Sequence, residues 1–319
     1  MKDKQKVFNY GGQAVLEGVM MRGRRWSTVA VRAPSFQIVL HSEPLPKALY
    51  EGWFLKVPFL RGVVMLWDTL VLGMRSLMFS ANVSLEEEEV EMSKPMMWGT
   101  VAVAIVFAVA LFFVTPLLLV GFVDHYITSS FVSNVVEGVI RLAVFLVYIW
   151  GIGKMPDISR VFAYHGAEHK SINAQEAGLP LVSASAMPFT TSHPRCGTSF
   201  LLMVMVISIL VFALLGRPPM EWRILSRIVL VPLIAGVAYE FLKFTAAHYS
   251  NRLVALLAAP GLNLQKLTTR EPDESQVEVA MAALVEVMRL DVLEEAVARE
   301  TVTTRLGERV DAPVGVGGA

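Results

Sequence analysis

His165-Gly166-Ala167-Glu168-His169 carries two imidazoles four residues apart, with a carboxylate beside the second. Further along, His193-Pro194-Arg195-Cys196 adds a third imidazole and the only cysteine of the chain. Three of the six histidines and that cysteine therefore fall between residues 165 and 196. Side chains at i and i+4 of a helix share a face, so His165 and His169 can chelate one ion. At about 100° per residue Glu168 lies roughly 60° to one side of His165, where a carboxylate can take a proton from activated water. The chemistry expected is metal-assisted hydrolysis, with a divalent metal, zinc first, as cofactor and Glu168 as general base. Catalytic zinc usually has three protein ligands and an open position, so two histidines rarely suffice. His193 and Cys196 are the candidates for the third ligand, and Glu17 and Glu240 are more distant accessory candidates.

Other uses of the same residues compete with this one. Histidines on an apolar stripe are often hydrogen-bonded core groups, and the cluster could be a structural polar network in a membrane scaffold or transporter-like protein. Cys196 could be a nucleophile with a histidine as its base. A lone buried cysteine more often acts as a small hydrophobe, which ranks that use lower.

The cluster needs a helix to carry it. Pro156-Asp157 reads as a helix start with an aspartate N-cap. Continued from there, Ile158, Phe162, His165, His169 and Ile172 fall on one stripe, so both histidines are expected to face the interior. Gly166 weakens such a helix by about 1 kcal/mol relative to alanine.

Around this helix the composition is that of a polytopic membrane protein. Of 319 residues 54% are apolar, only 18% are charged, and the mean hydropathy is +0.53. The charges balance at 28 basic and 28 acidic, so no nucleic-acid partner is expected. One cysteine excludes an internal disulfide, and the lysine-rich start has no apolar run close behind to make a cleavable signal. Four membrane spans are expected, at 96–123, 133–153, 197–216 and 225–244. The second holds Glu137 and Arg141, an i,i+4 pair that can neutralise itself, and the fourth holds Arg227, Pro232, Glu240 and Lys243.

Basic residues number twelve before the first span, four between Lys154 and Cys196, and eight from Lys243 on, against two in the 216–223 connection and none in 124–134. That asymmetry puts both termini and the histidine loop (154–196) in the cytoplasm of a bacterial inner membrane. The lipid bilayer is the partner expected, with room for a homo-oligomer or other membrane proteins.

Residues 1–95 read as a cytoplasmic α+β region. Ser27–Arg32 and Phe36–His41 flank Ala33-Pro34-Ser35 as a β-hairpin, and the glycines of 11–23 permit tight turns into it. Trp53–Phe79 reads as a helix lying on the membrane or packed against the spans. Glu86–Glu89 is a solvated acidic linker. Beyond the spans, 245–310 is a cytoplasmic helical region in which Ala259-Pro260-Gly261 breaks the chain. Asp273 then opens a docking helix with Val277, Met281, Leu284, Val285, Met288 and Val292 on one stripe. Residues 311–319 are a flexible tail.

Several stretches together resemble one family. They are GGQAVLEGVMMRG, YHGAEHKSINAQEAG, HPRCGTSF, YEFLK at 239–243 and PGLNLQKLTTREPDESQVEVA. They resemble the bacterial membrane family typified by Bacillus YqhQ, over nearly the whole chain up to about residue 290. The positions that match are Glu17, His165, Glu168, His169, His193 and Cys196. The family has no assigned reaction but is sometimes labelled metal-dependent, so the resemblance implies a metal and no chemistry. His-x-x-Glu-His is also the spacing of inverzincin peptidases, over those five residues only.

Overall fold

The computed structural model describes residues 8–50, 52–85, 94–216 and 218–310. It is mostly helical, with one four-stranded antiparallel sheet at the N-terminal end. Strands β1 (Gly11–Val15), β2 (Gly18–Arg22), β3 (Trp26–Arg32) and β4 (Ile38–Pro44) pair in sequence order. β3 is the expected hairpin partner of β4, in a register that sets Val29 opposite His41. The glycine-rich run, expected to supply only turns, is itself a hairpin: Gly11 pairs with Arg22 around a two-residue turn at Leu16-Glu17. Its alternating apolar residues explain the strand, because they feed two different cores.

On one face of the sheet Val19, Met21 and Ala30 pack with Tyr164, Ala167, Ile172, Val277 and Leu284. These come from α6 (Pro156–Glu176) and α11 (Glu274–Val310). On the other face Val15, Met20, Val29 and Val31 pack with Leu72 and Val83 of α2 (Leu60–Ser84). Strict alternation along β2 and β3 thus places one sheet between two helical layers. The fully buried carboxylate of Asp291 on α11 accepts the backbone N–H groups of Arg24 and Arg25, at 2.7 and 2.9 Å, which ties α11 to the β2–β3 turn. Asp273 caps α11 by accepting the N–H of Gln276 at 2.9 Å.

Short helices α1 (Lys47–Tyr50) and α7 (Ser183–Ala186) lie in connections. The long apolar helices form the rest. They are α3 (Lys94–Val109), continuing through a π-helical stretch (Ala110–Val114) into α4 (Thr115–Asp124), then α5 (Ser130–Ile152), α8 (Gly197–Leu214), α9 (Met220–Ala247) and α10 (Arg252–Thr268). Among the described residues five helices are long and apolar enough to cross a membrane: the four expected and, in addition, Leu60–Ser84. Phe145, Leu202 and Leu264 form a core shared by α5, α8 and α10. Glu137 is buried and takes a 2.6 Å hydrogen bond from Arg141, whose Nε also donates to the carbonyl of Phe112 in the π-helical stretch at 3.0 Å. The i,i+4 charges therefore pair with each other, and they clip α5 to the preceding helix where its regular ladder widens.

α2 crosses α9 at a close approach of small residues. A methyl group at Gly62 would stand 2.8 Å from Tyr239 Cβ and 2.9 Å from Gly236 Cα, so only glycine fits there. Arg61 at the start of α2 forms a two-pronged ion pair with Glu240 of α9.

Several expectations need correction. Asp157 does not cap α6: Met155 holds that position without a side-chain bond, Pro156 opens the first turn, and Asp157 sits within it, still favourable to the helix dipole. Pro260-Gly261 does not break the chain but lies inside α10, where the missing N–H is tolerated and Gly261 lets Ser199 of α8 approach. On α11, Val285 and Val292 are exposed, while Val279, Ala280 and Val287 are buried in their place. The acidic run at 86–89 and the tail at 311–319 lie outside the described residues.

Candidate metal centre

α6 brings the histidines to the middle of the molecule because almost every residue from Ala163 to Ala174 is covered. The sheet and α11 lie against Tyr164 and Ala167, and the loop 187–196 lies against the other side. Gly166 makes this possible. A Cβ there would overlap the carbonyl oxygen of Arg270 and stand 3.2 Å from Thr191 Cγ2. The chain after α10 runs directly over this glycine, and Arg270 N–H donates to the carbonyl of Phe162 at 2.8 Å.

Each α6 histidine is oriented by a backbone carbonyl from a different segment. His165 Nδ1 lies 2.8 Å from the oxygen of Thr268, and His169 Nδ1 lies 2.6 Å from that of Thr191. A carbonyl can only accept, so both rings carry a proton on Nδ1, and in the neutral imidazole this leaves the Nε2 lone pair for an ion. His165 Nε2 approaches Cys196 Sγ at 3.2 Å. One ligand atom each from His165, His169 and Cys196 lies within 4.8 Å of the other two. Bonds of 2.0–2.3 Å in a tetrahedral zinc site give ligand-to-ligand edges of about 3.3–3.6 Å, so small side-chain movements close the group on an ion.

Cys196 is the N-cap of α8, and its sulfur accepts the N–H of Thr198 at 3.4 Å. Glu168, also buried, sets Oε2 3.4 Å from His169 Nε2. A carboxylate oxygen and an imidazole nitrogen at this separation can share a proton or a cation. The donor set therefore fits a metal: two imidazoles and a thiol suit zinc, the orienting carbonyls supply the outer shell, and a carboxylate waits beside them.

His193 is close but differently engaged. Its ring lies 5.8 Å from that of His169, its Nδ1 accepts the N–H of Arg195 at 3.3 Å, and its Nε2 donates to Glu176 at 3.5 Å. Gln265, fully buried on α10, clamps its backbone from both sides: it accepts His193 N–H at 2.8 Å and donates to His193 O at 2.9 Å. Glu17 is bound by Arg160 and by the Tyr164 hydroxyl, and Glu240 by Arg61, so neither accessory candidate joins the cluster.

Thr191, Gln265, Thr268 and Glu176 are contributors that sequence reasoning missed. A backbone carbonyl leaves no side-chain signature, and the stretch holding Gln265 and Thr268 had signalled kinship without a role.

Burial alone would raise the Glu176 carboxyl, but hydrogen bonds from His193 and Arg195, with the Arg195 charge, pull it down to about 2. A carboxyl depressed on folding adds stability that is complete above its unfolded value and vanishes as pH falls through the folded one. The thermal midpoint of Glu176→Gln should therefore lie below wild type at neutral pH and converge on it as pH drops from 4.5 toward about 2. A difference that stayed constant over that range would contradict the assigned ion pair.

Beside the cluster is a cavity of about 430 Å³. His165, Glu168, His169 and Cys196 form one wall, and the start of the sheet, the first turns of α2 and the end of α9 form the others. His165, His169 and Cys196, the residues that would hold an ion, all border this space.

Residues 57–290 match the model of a family described as a protein of unknown function, DUF1385. The chain belongs to this family. It is also 33% identical over 299 residues, 90% of this chain and 94% of the relative, to the uncharacterized protein YqhQ of Bacillus subtilis (strain 168). No solved structure matches. The DUF1385 match includes His165, Glu168, His169, His193 and Cys196, while Glu17 and the whole sheet precede it. The kinship expected from the motifs is thus the one found.

Proposed function

We propose that this DUF1385 protein is a four-span inner-membrane protein with a divalent-metal site on its cytoplasmic face, and that the site catalyses metal-assisted hydrolysis. The observation that carries the site is the convergence of two imidazoles and one sulfur, with both imidazoles oriented by backbone carbonyls. His165, His169 and Cys196 hold the ion. A bound ion supplies Lewis-acid activation of water and polarises the bond to be cleaved. Glu168 receives the proton from the attacking water and returns it to the leaving group. The buried walls around Glu168 exclude bulk water and keep its carboxylate beside the reacting atoms.

Parity supports four spans rather than five. The sheet packs against both α6 and α11, so these three lie on one side of the membrane. The α3–α4 helix and α5 make two crossings between the sheet and α6, and α8 and α9 make two more before α11. A crossing by α2 would leave the sheet on the opposite side from α6. Its second half, moreover, buries Leu72 and Val83 against the sheet. α2 then lies along the membrane surface with Trp67 and Leu70 outward, as α10 does with Leu253 and Leu256, all more than 60% exposed. The positive charge of the cytoplasmic segments agrees.

The test of the chemistry is Glu168→Gln. The variant is expected to keep its metal and to lose the cellular role of the protein, measured by complementation of a deletion strain. Full complementation would remove Glu168 from the reaction. Tyr126→Cys, in the α4–α5 loop, should react with a membrane-impermeant maleimide in intact cells, and Gly178→Cys should react only after lysis. The reverse pattern would invert the topology.

A further inference from the structure

The cavity beside the cluster combines two kinds of wall that a soluble substrate does not call for. Met65 and Leu66 of α2, Phe200 of α8 and Leu242 of α9 make one side apolar. Three cationic side chains border the same space, Arg22, Arg195 and Lys243, and Arg22 Nη2 lies 3.6 Å from Met65 Sδ. Arg22 is held by Asp68 at 3.5 Å, and Arg195 by Glu176. Lys243 makes no hydrogen bond or ion pair among the described residues, and its charge is felt by Glu240 one turn away. It stands at the cytoplasmic end of α9, where a lysine keeps its stem on apolar surface and its head at the interface. Among the described residues that line the cavity the one acidic side chain is Glu168, which faces the histidine–cysteine cluster. A volume of about 430 Å³ suits a headgroup with part of one chain rather than a macromolecule.

We infer that this cavity takes an anionic amphiphile from the inner leaflet, its phosphate or carboxylate headgroup between Lys243 and the metal cluster and its chain against Met65, Leu66 and Leu242. The inference rests on the metal-site reading and names the substrate class of that site. The headgroup would gain Lys243 as a hydrogen-bonding partner at the border of the cavity.

The test uses the full chain, purified in detergent and loaded with zinc, with ligand binding read by native mass spectrometry. The probes are oleoyl lysophosphatidic acid, oleoyl lysophosphatidylcholine and inorganic phosphate. The expected result is one bound lysophosphatidic acid, held at least about tenfold more tightly than the choline lipid or phosphate, the value of one charge-assisted contact. Lys243→Gln should weaken it about tenfold with zinc retained. Leu66→Trp, which fills the apolar side, should abolish the difference from phosphate. Phosphate binding as tightly as the lipid would make the ligand a soluble anion and overturn the inference. So would choline lipid binding equally well, or both variants binding like wild type. Zinc retained without lipid preference defeats the amphiphile alone. Lipid preference retained with no zinc in wild type defeats the metal reading and leaves the amphiphile standing.

Discussion

His169→Ala is expected to purify with less than a tenth of the zinc found in wild type, an affinity loss of at least about 100-fold, since even outer-shell partners of metal ligands are worth 10–100-fold. His165→Ala should behave in the same way. The reason is the economy of the donor set: three ligand atoms converge, and each is one of only three protein donors. His193→Ala separates this from a general effect of histidine loss. The two ring nitrogens of His193 serve Arg195 and Glu176, so this variant should keep its zinc. Chelation adds a second readout. A metal at 100 times its dissociation constant stabilises the folded state by about 2.7 kcal/mol, so a chelator should lower the thermal midpoint of wild type and leave that of His169→Ala unmoved. Equal zinc in all four proteins, or loss in His193→Ala alone, would dismantle the proposed ligand set.

Gly166→Val is expected to destabilise the protein by about 3 kcal/mol or more, at the upper end for overpacking a filled core. Two effects oppose each other. Valine is the better helix residue by a few tenths of a kcal/mol. Its Cβ, however, overlaps the Arg270 carbonyl and crowds Thr191 Cγ2 at 3.2 Å and Pro272 Cδ at 3.3 Å, and the first of these is backbone that cannot rotate away. The overlap wins. Relief by moving the 268–272 segment would also displace the Thr268 carbonyl from His165, so zinc affinity should fall together with stability. Denaturation midpoints with parallel zinc titrations measure both. A variant as stable as wild type would mean that the chain over Gly166 is not packed as described.

The helical stripe and the i,i+4 spacing made His165 and His169 legible from sequence, since regular geometry fixes where such residues point. Cys196 was legible as a residue just ahead of a helix. Its partner was not, because the choice between it and His193 depends on how the 187–196 loop folds, and that loop is clamped by Gln265, some 70 residues later. Gly166 was misjudged for a related reason. Propensity sees a glycine in a helix as a local cost, whereas its use lies in a backbone that passes 104 positions downstream. The β1–β2 hairpin was overlooked because four glycines masked an alternation that serves two cores at once. The apolarity of α2 was plain. Which of the five apolar helices cross the bilayer depends on what each one packs against, and composition does not carry that.

The carbonyl that orients His165 lies 103 residues beyond it in the chain, with α8 and α9 in between. At 5–20 residues per second a ribosome needs about 5–20 s to travel that distance. During this interval the first histidine, and for part of it the cysteine, exists without the segment that sets its proton. The pair of carbonyl-oriented imidazoles is complete only when α10 has come to rest against α8. An unfinished chain therefore exposes loose imidazoles and a thiol, and their convergence becomes a property of completed synthesis.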